Sequence, residues 1–228
     1  MKGLRMRVHT LAWPDVDTRM INAHESVMKH FGLSPTYYRV HMPHGEWMDK
    51  VCKDEFETGA EVVCFLEIDC VPTCETIMAR AYRWTKDNRG ILGIAQSANH
   101  LDPCHIYAGP AFYMVHREAW NKIKDHYKNI SFSEKQDGDV AQIVTKSAER
   151  LGVPVRAVYP THYLYPADEG RWALGNYGYF GRGTHYNGGV FHMFQGRTNN
   201  AINTFVDVCG KIVGNTFSTD GWYESAKL

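Results

Sequence analysis

Apolar residues recur along this chain in two rhythms that take turns. Short runs rich in β-branched and aromatic residues occupy 6–13 (MRVHTLAW), 36–42 (TYYRVHM), 61–68 (EVVCFLEI) and 90–95 (GILGIA). Between them, 17–32, 46–56 and 74–88 carry apolar positions at helical spacing. In the first of these, Met20, Ile21, Val27, Met28 and Phe31 mark one face and Gly32 supplies a stop. Strand and helix in alternation predict a parallel sheet with helices on both faces. Further on, 109–116 reads as a strand leading into a helix over 117–127, and 139–152 as a helix closed by Gly152. Strands follow at 153–159 and 190–194, and Ile202, Phe205, Val206, Cys209, Ile212 and Val213 share one face of a last helix. Residues 159–189 keep neither period; so long an irregular, glycine- and aromatic-rich stretch predicts an ordered functional loop.

No repeat, low-complexity block or linker interrupts this pattern, so one domain over 1–228 is the simplest organisation. The expected fold is α/β, with a mostly parallel central sheet flanked by helices and a smaller mixed β region in the C-terminal half. At 228 residues the chain is long enough for a sizeable core. Its 25 Lys and Arg balance 25 Asp and Glu, which leaves no overall field to recruit nucleic acid or an anionic membrane; an anionic ligand must be held locally. No apolar run approaches the ~20 residues of a membrane span, and MKGLRMRVHTLAWPD lacks the unbroken apolar stretch of a signal peptide. A soluble cytoplasmic protein is expected. Cysteines at 52, 64, 70, 74, 104 and 209 form no Cys-x-x-Cys pair and read as reduced thiols.

The chemistry begins at FLEIDCVPTC (65–74), where an apolar run delivers Glu67 and Asp69 before breaking at Pro72. On a strand, side chains two apart face the same way, so the two acids point together while Ile68 turns into the core. They sit at the carboxyl end of a central strand, where open α/β sheets bind ligands. Two like charges so placed call for a divalent cation with oxygen ligands; the plainer alternative is a pair that caps the strand in water. An acidic turn, SEKQDGDVAQIV, presents Asp137 and Asp139 ahead of a helix, and Asp139 also suits a helix N-cap. In GGVFHMFQGR, His192 lies on a strand and Gly196-Arg197 precede the final helix. An imidazole can complete a shell begun by carboxylates, and a guanidinium with a helix N-terminus can neutralise phosphate.

Taken in order over nearly the whole chain, these segments resemble the GT-A family of glycosyltransferases, whose mark is a D-x-D or variant at a strand end, here Glu67-Ile68-Asp69. The resemblance implies a GT-A-like, Rossmann-like domain. It also implies an enzyme that moves a sugar from a nucleotide-diphosphate sugar to an acceptor hydroxyl with Mn²⁺ or Mg²⁺. Residues 1–95 would form the nucleotide-binding half and 96–228 the half that binds a carbohydrate acceptor and completes the metal site. Asp69 and His192 are then metal ligands, and Glu67, which departs from the D-x-D, is a further one. Gly109, in AGPAFYMVHREAW, would pass beneath the donor sugar, and Gly196 and Arg197, with Arg in place of Lys, would hold the diphosphate. Thr10 and Trp13, in HTLAWPD, would meet the base. Asp137 or Asp139 would face the acceptor, as general base if the reaction inverts. Tyr163, Tyr165, Trp172, Tyr177, Tyr179 and Tyr186 offer flat faces to acceptor sugars, and His162 and His185 are reserve metal ligands. Rival readings are a sugar nucleotidyltransferase, for which WPDVDTRM lacks the glycine-rich loop, and a zinc protein using Cys70, Cys74, Cys104, His100 and His105, whose spacing fits no common site. A third is a non-catalytic carbohydrate-binding protein. The donor sugar, the base, the acceptor and the stereochemistry stay open.

Overall fold

The computed structural model describes residues 6–98, 102–133, 138–165, 170–196 and 198–225. The first half follows the alternation of its apolar runs: β1 (Val8–Leu11), α1 (Thr18–His30), β2 (Thr36–Tyr38), α2 (His44–Glu57), β3 (Val62–Leu66), β4 (Cys70–Pro72), α3 (Ile77–Asn88) and β5 (Ile91–Ala98). Then come β6 (Asp102–His116), α4 (Arg117–His126), α5 (Gln142–Arg150) and β7 (Val155–Val158). The main sheet runs β2-β1-β3-β6-β5-β7. Only β6 is antiparallel to its neighbours, β3 and β5, so the sheet is mostly parallel, as the alternation predicts.

Successive residues of β3 show why its apolar run is continuous rather than alternating. Val63 and Phe65 enter a core shared with Trp47, Met48 and Val51 of α2 and Trp120 and Ile123 of α4. Val62, Cys64 and Leu66 face the opposite way, toward Met28 of α1 and Ile77, Met78 and Ala81 of α3. A strand covered on both faces needs apolar residues on both. The glycine stops hold too: Gly32 (φ +67) and Gly152 (φ +64) end α1 and α5 in the left-handed conformation, and Leu33 and Val153 donate back to Met28 and Ala148 at 2.8 Å.

Three parts of the chain differ from the sequence pattern. The strand expected over 109–116 is the end of the 15-residue β6, which forms a long hairpin with β5 whose register shifts at Gly93/Ile94 and Ser97/Ala98. The stretch 159–189 is not one loop. It folds into β8 (Pro160–Tyr163), β9 (Arg171–Ala173), β10 (Tyr179–Gly181) and β11 (Thr184–Tyr186), with a 3-10 turn at Gly175–Tyr177. Three- and four-residue strands are too short to establish a period, and glycines with positive φ at 170, 175, 178 and 183 punctuate them. β9 and β10 pair with each other as a separate antiparallel ribbon, while β8 and β11, with β12 (Val190–His192) and, after α6 (Asn199–Val213), β13 (Tyr223–Glu224), join β4 in a second sheet, β13-β8-β11-β12-β4, antiparallel throughout. The strand β4, just past the acidic motif, has no distinct sequence signal because its three residues run on from β3.

Helix α6 packs Ile202, Phe205, Cys209 and Ile212 with Met20, Ala23 and Val27 of α1. Among the described residues, Cys52, Cys64, Cys70, Cys74 and Cys209 are free thiols, and no helix is long and apolar enough to cross a membrane. Two histidines are structural. His185 lies between the Thr161 and Thr73 hydroxyls, at 3.0 and 3.1 Å, and His24 meets the Tyr37 hydroxyl at 2.7 Å. Burial pulls each down to about 4. Unfolding returns them to ~6.5, so the unfolded chain takes up more protons between those values and stability falls as pH drops through that window. Urea unfolding followed by tryptophan fluorescence should therefore show the midpoint falling from pH 7 to pH 4, with a shallower fall in His185→Gln.

Candidate active site

The main-sheet ladder continues one residue past β3, where the Glu67 N–H donates to the Ala111 carbonyl at 2.9 Å. The chain then turns, and the Cys70 N–H donates back to the Glu67 carbonyl at 3.0 Å. Glu67 and Asp69 are thus held by a tight turn and not by the side-chain parity of a strand, which corrects the expected geometry. Ile68 does enter the core, among Val71, Phe191 and Met193. Past the turn, β4 pairs with β12 so that Cys70 stands opposite His192, and the Met193 N–H donates to the Asp69 carbonyl at 2.9 Å. The acids therefore sit at the seam between the two sheets, with His192 delivered to them by strand register.

Ligand-capable atoms of Glu67, Asp69 and His192 all lie within 4.8 Å of one another, and this is the one such trio of His, Cys, Asp or Glu side chains among the described residues. His192 Nε2 is 3.4 Å from Asp69 Oδ1 and 3.6 Å from Glu67 Oε2. The imidazole is 3% exposed. Burial alone would depress its pKa, but the two adjacent carboxylates outweigh it and hold the ring up at about 9. Its orientation comes from packing on Phe194, 4.8 Å between ring centres. Asp69 Oδ1 is buried and has no hydrogen-bond partner beyond its ion pair with His192, a carboxylate oxygen with capacity for a cation. Gly196 covers the same carboxylate: a Cβ there would lie 3.0 Å from Asp69 Oδ2 and 2.8 Å from Met20 Cε.

One neighbour has no counterpart among the residues chosen from sequence. His44, the first residue of α2, places Nδ1 3.2 Å from Glu67 Oε1 and packs its ring on Trp47, 5.7 Å between centres. Only the sheet order reveals it, because β1 and β3 are adjacent and the helix after β2 starts beside their ends. A cleft of about 470 Å³ opens over Glu67 and Asp69, with Trp13, His44, Gly196 and Ile202 in its walls. Trp13 donates its indole N–H to the Met42 carbonyl at 3.1 Å, which fixes the ring in the cleft wall. Thr10 is fully buried on β1 and is not part of that wall.

Gly109 and Asp139 belong to a second constellation. Gln96 of β5 and Tyr107 of β6 are direct cross-strand partners, so their side chains share a face. Both reach Asp139 Oδ2, the Tyr107 hydroxyl at 2.7 Å and Gln96 Nε2 at 3.2 Å. Asp139 Oδ1 accepts from the Val140 N–H at 2.9 Å, and Gln142 Oε1 accepts the Asp139 N–H at 2.9 Å, which makes Asp139 the anchor of the turn before α5. Gly109 gives Gln96 its room: a Cβ there would lie 2.5 Å from Gln96 Oε1 and 2.9 Å from its Cβ. Asp137 and Arg197 lie outside the described residues, as do His100 and the Cys104 side chain. His162 and His185 face one another across β8 and β11, apart from the acidic turn. Of the aromatics expected to meet an acceptor, Tyr186 is fully buried, Tyr163 stacks on Tyr223, Trp172 packs with Phe180 and Phe194, and the Tyr165 hydroxyl meets the Thr204 hydroxyl at 2.6 Å. Tyr177 is the exposed one, at 54%.

No family model and no curated protein matches the chain. Solved structures that resemble it are glycosyltransferases and nucleotidyltransferases at low identity. A putative glucose-1-phosphate thymidylyltransferase from Bacillus anthracis is 13% identical, with a TM-score of 0.42 over 68% of this chain and 86% of that one. The glycosyltransferase GlyE of Streptococcus pneumoniae is 8% identical, with a TM-score of 0.40 over 67% of this chain and 45% of that one. A glycosyltransferase involved in glycosylation of the major capsid of PBCV-1 is 13% identical, with a TM-score of 0.39 over 68% and 81%. No residue's role is taken from them; the site stands on its own geometry.

Chemically, two carboxylates and one imidazole within reach of a single point make a donor set for a hard or borderline divalent ion. Without one, the His192 proton balances the acids. An NMR titration should place the His192 pKa near 9, and Asp69→Asn should lower it markedly; an unchanged value would mean that the carboxylates do not hold the proton. Tyr107→Phe removes one of the two side-chain donors to Asp139 Oδ2 and should cost about 1–2 kcal/mol in urea unfolding.

Proposed function

We propose that this chain is a glycosyltransferase that binds Mn²⁺ or Mg²⁺ and moves a sugar from a nucleotide-diphosphate sugar to a hydroxyl of a carbohydrate acceptor. The observation that carries this reading is the convergence of Glu67, Asp69 and His192 within 4.8 Å, with the two acids lining a cleft of ligand size and His192 buried beside them. The proposed unit is one catalytic domain, with 1–95 forming the nucleotide side and 96–228 the acceptor side.

Asp69, Glu67 and His192 would hold the divalent ion, and the buried Asp69 Oδ1, which faces His192 Nε2, fits that role. A bound ion supplies Lewis acidity to the diphosphate as negative charge builds on the departing oxygens. His192 must shed its proton to act as a ligand, and since its pKa is held up at about 9, loading releases a proton at neutral pH and tightens as pH rises toward that value. Gly196 lets the chain pass directly over Asp69, and Arg197 next to it is the proposed partner for phosphate oxygens. The face of Trp13 offers the base a stacking surface. Asp139, which accepts hydrogen bonds on both oxygens, is suited to fixing the wall near β5 and β6, which makes Asp137 the candidate base if the reaction inverts.

Calorimetry with Mn²⁺ and UDP-, GDP- and CDP-sugars, paired with an assay of donor hydrolysis, tests the reading. Nucleotide affinity should require the metal, Asp69→Ala should weaken metal binding by ~100-fold and His192→Gln by ~10- to 100-fold, and neither should change the fold by circular dichroism. Metal-independent affinity that survives Asp69→Ala would sink the proposal, and pyrophosphate release from a sugar 1-phosphate and a nucleoside triphosphate would replace it with nucleotidyl transfer.

A further inference from the structure

A second groove, of about 500 Å³, runs between α3, the edge strand β7 and the turn before β12, and it shares no lining residue with the cleft. Its floor is apolar, from Ile77, Leu92 and Val158, and among the described residues its polar lining is Arg80, Arg156, Tyr159 and Asn187, with no acid. Arg80 spends one N–H on the Gly188 carbonyl at 2.8 Å, which fixes it at the groove. Arg156 is exposed and lies over the Trp84 ring, 5.7 Å from its centre. Neither guanidinium forms an ion pair among the described residues, although elsewhere Arg7, Arg19 and Arg89 do. At the rim, the Tyr159 ring packs on Tyr177 with centres 4.9 Å apart and planes tilted by 35°, and Tyr177 is more exposed than any other large apolar side chain described.

We infer that this groove binds an anionic saccharide, with the ring's C–H face on the Tyr159–Tyr177 pair and its carboxylate or phosphate at Arg80 and Arg156. Guanidiniums match such anions through parallel N–H donors, and stacking on an aromatic ring keeps them pre-organised. The chain carries no net charge, so a groove with two guanidiniums and, among the described residues, no acid in its lining is a local device for an anion. Tyrosine faces are electron-rich and meet the polarised C–H groups of a pyranose; the exposed Tyr177 ring, backed by Tyr159, favours a saccharide over an acidic peptide. The inference does not depend on catalysis in the cleft.

Heteronuclear NMR titration of the full chain with a galacturonic acid tetramer and, separately, glucose 6-phosphate tests it and tells which anion is preferred. Saturable binding of at least one is expected, weakened ~10-fold or more by Arg156→Gln and clearly by Tyr177→Ala, both surface changes, and unchanged in Asp69→Ala. Equal binding of a neutral galactose tetramer or a glutamate tetrapeptide would overturn it, as would binding of neither probe, affinity retained in the groove variants, or affinity lost in Asp69→Ala.

Discussion

Two carboxylates within about 5 Å of one another repel by roughly 3 kcal/mol at an effective dielectric near 20, and the rest of this structure is arranged around that cost at Glu67 and Asp69. Covalent geometry alone would let the turn relax and the acids part. It cannot, because the chain on either side is committed: Glu67 is the last rung of the main sheet, and Cys70 is the first of the second sheet. The same β4–β12 pairing that locks the turn brings in His192, whose buried ring, protonated between the acids, offsets the repulsion. Strand register thus does two jobs at once, closing a seam and supplying the counter-charge.

Much of this was legible in the sequence because burial leaves a strong periodic trace. β1, β3, β5 and the helices between them are long or apolar enough to announce themselves, and the stops at Gly32 and Gly152 are read from residue type, since glycine suits the positive φ found there. The trio was legible as residue types: an acid pair ending an apolar run, and a histidine on a late strand. How the trio is brought together was not, because β4 and β12 have three residues each and their pairing spans more than a hundred positions. His44 was invisible for the same reason. Its partnership with Glu67 is a product of sheet order, which no local pattern encodes. Gly109 shows the converse, a residue type noticed for close approach, which the structure shows toward the Gln96 side chain.

The aromatic stretch 159–189 carries a similar lesson about composition. Tyrosines and tryptophans there suggest sugar contacts, yet Tyr186 and Tyr163 are buried, and Trp172 closes a small core with Phe180 and Phe194. Three-residue strands joined by left-handed glycines bury little backbone, so large rings do the work of holding the second sheet together. That sheet must be rigid, since any slip of β12 would move His192 away from the acids.

Tyr107 ties the two acidic centres into one electrostatic unit. Its hydroxyl donates to Asp139, and its ionisation is opposed first by burial, then by Asp139 and, further off, by Glu67. The buried phenol donates to Asp139 Oδ2, and the cross-strand pairing with Gln96 places both donors on that oxygen. Asp139 is thereby committed as an acceptor, and Glu67 is left to His44 and His192. The division leaves the side chains of Glu67 and Asp69, among the described residues, paired with the histidines His44 and His192.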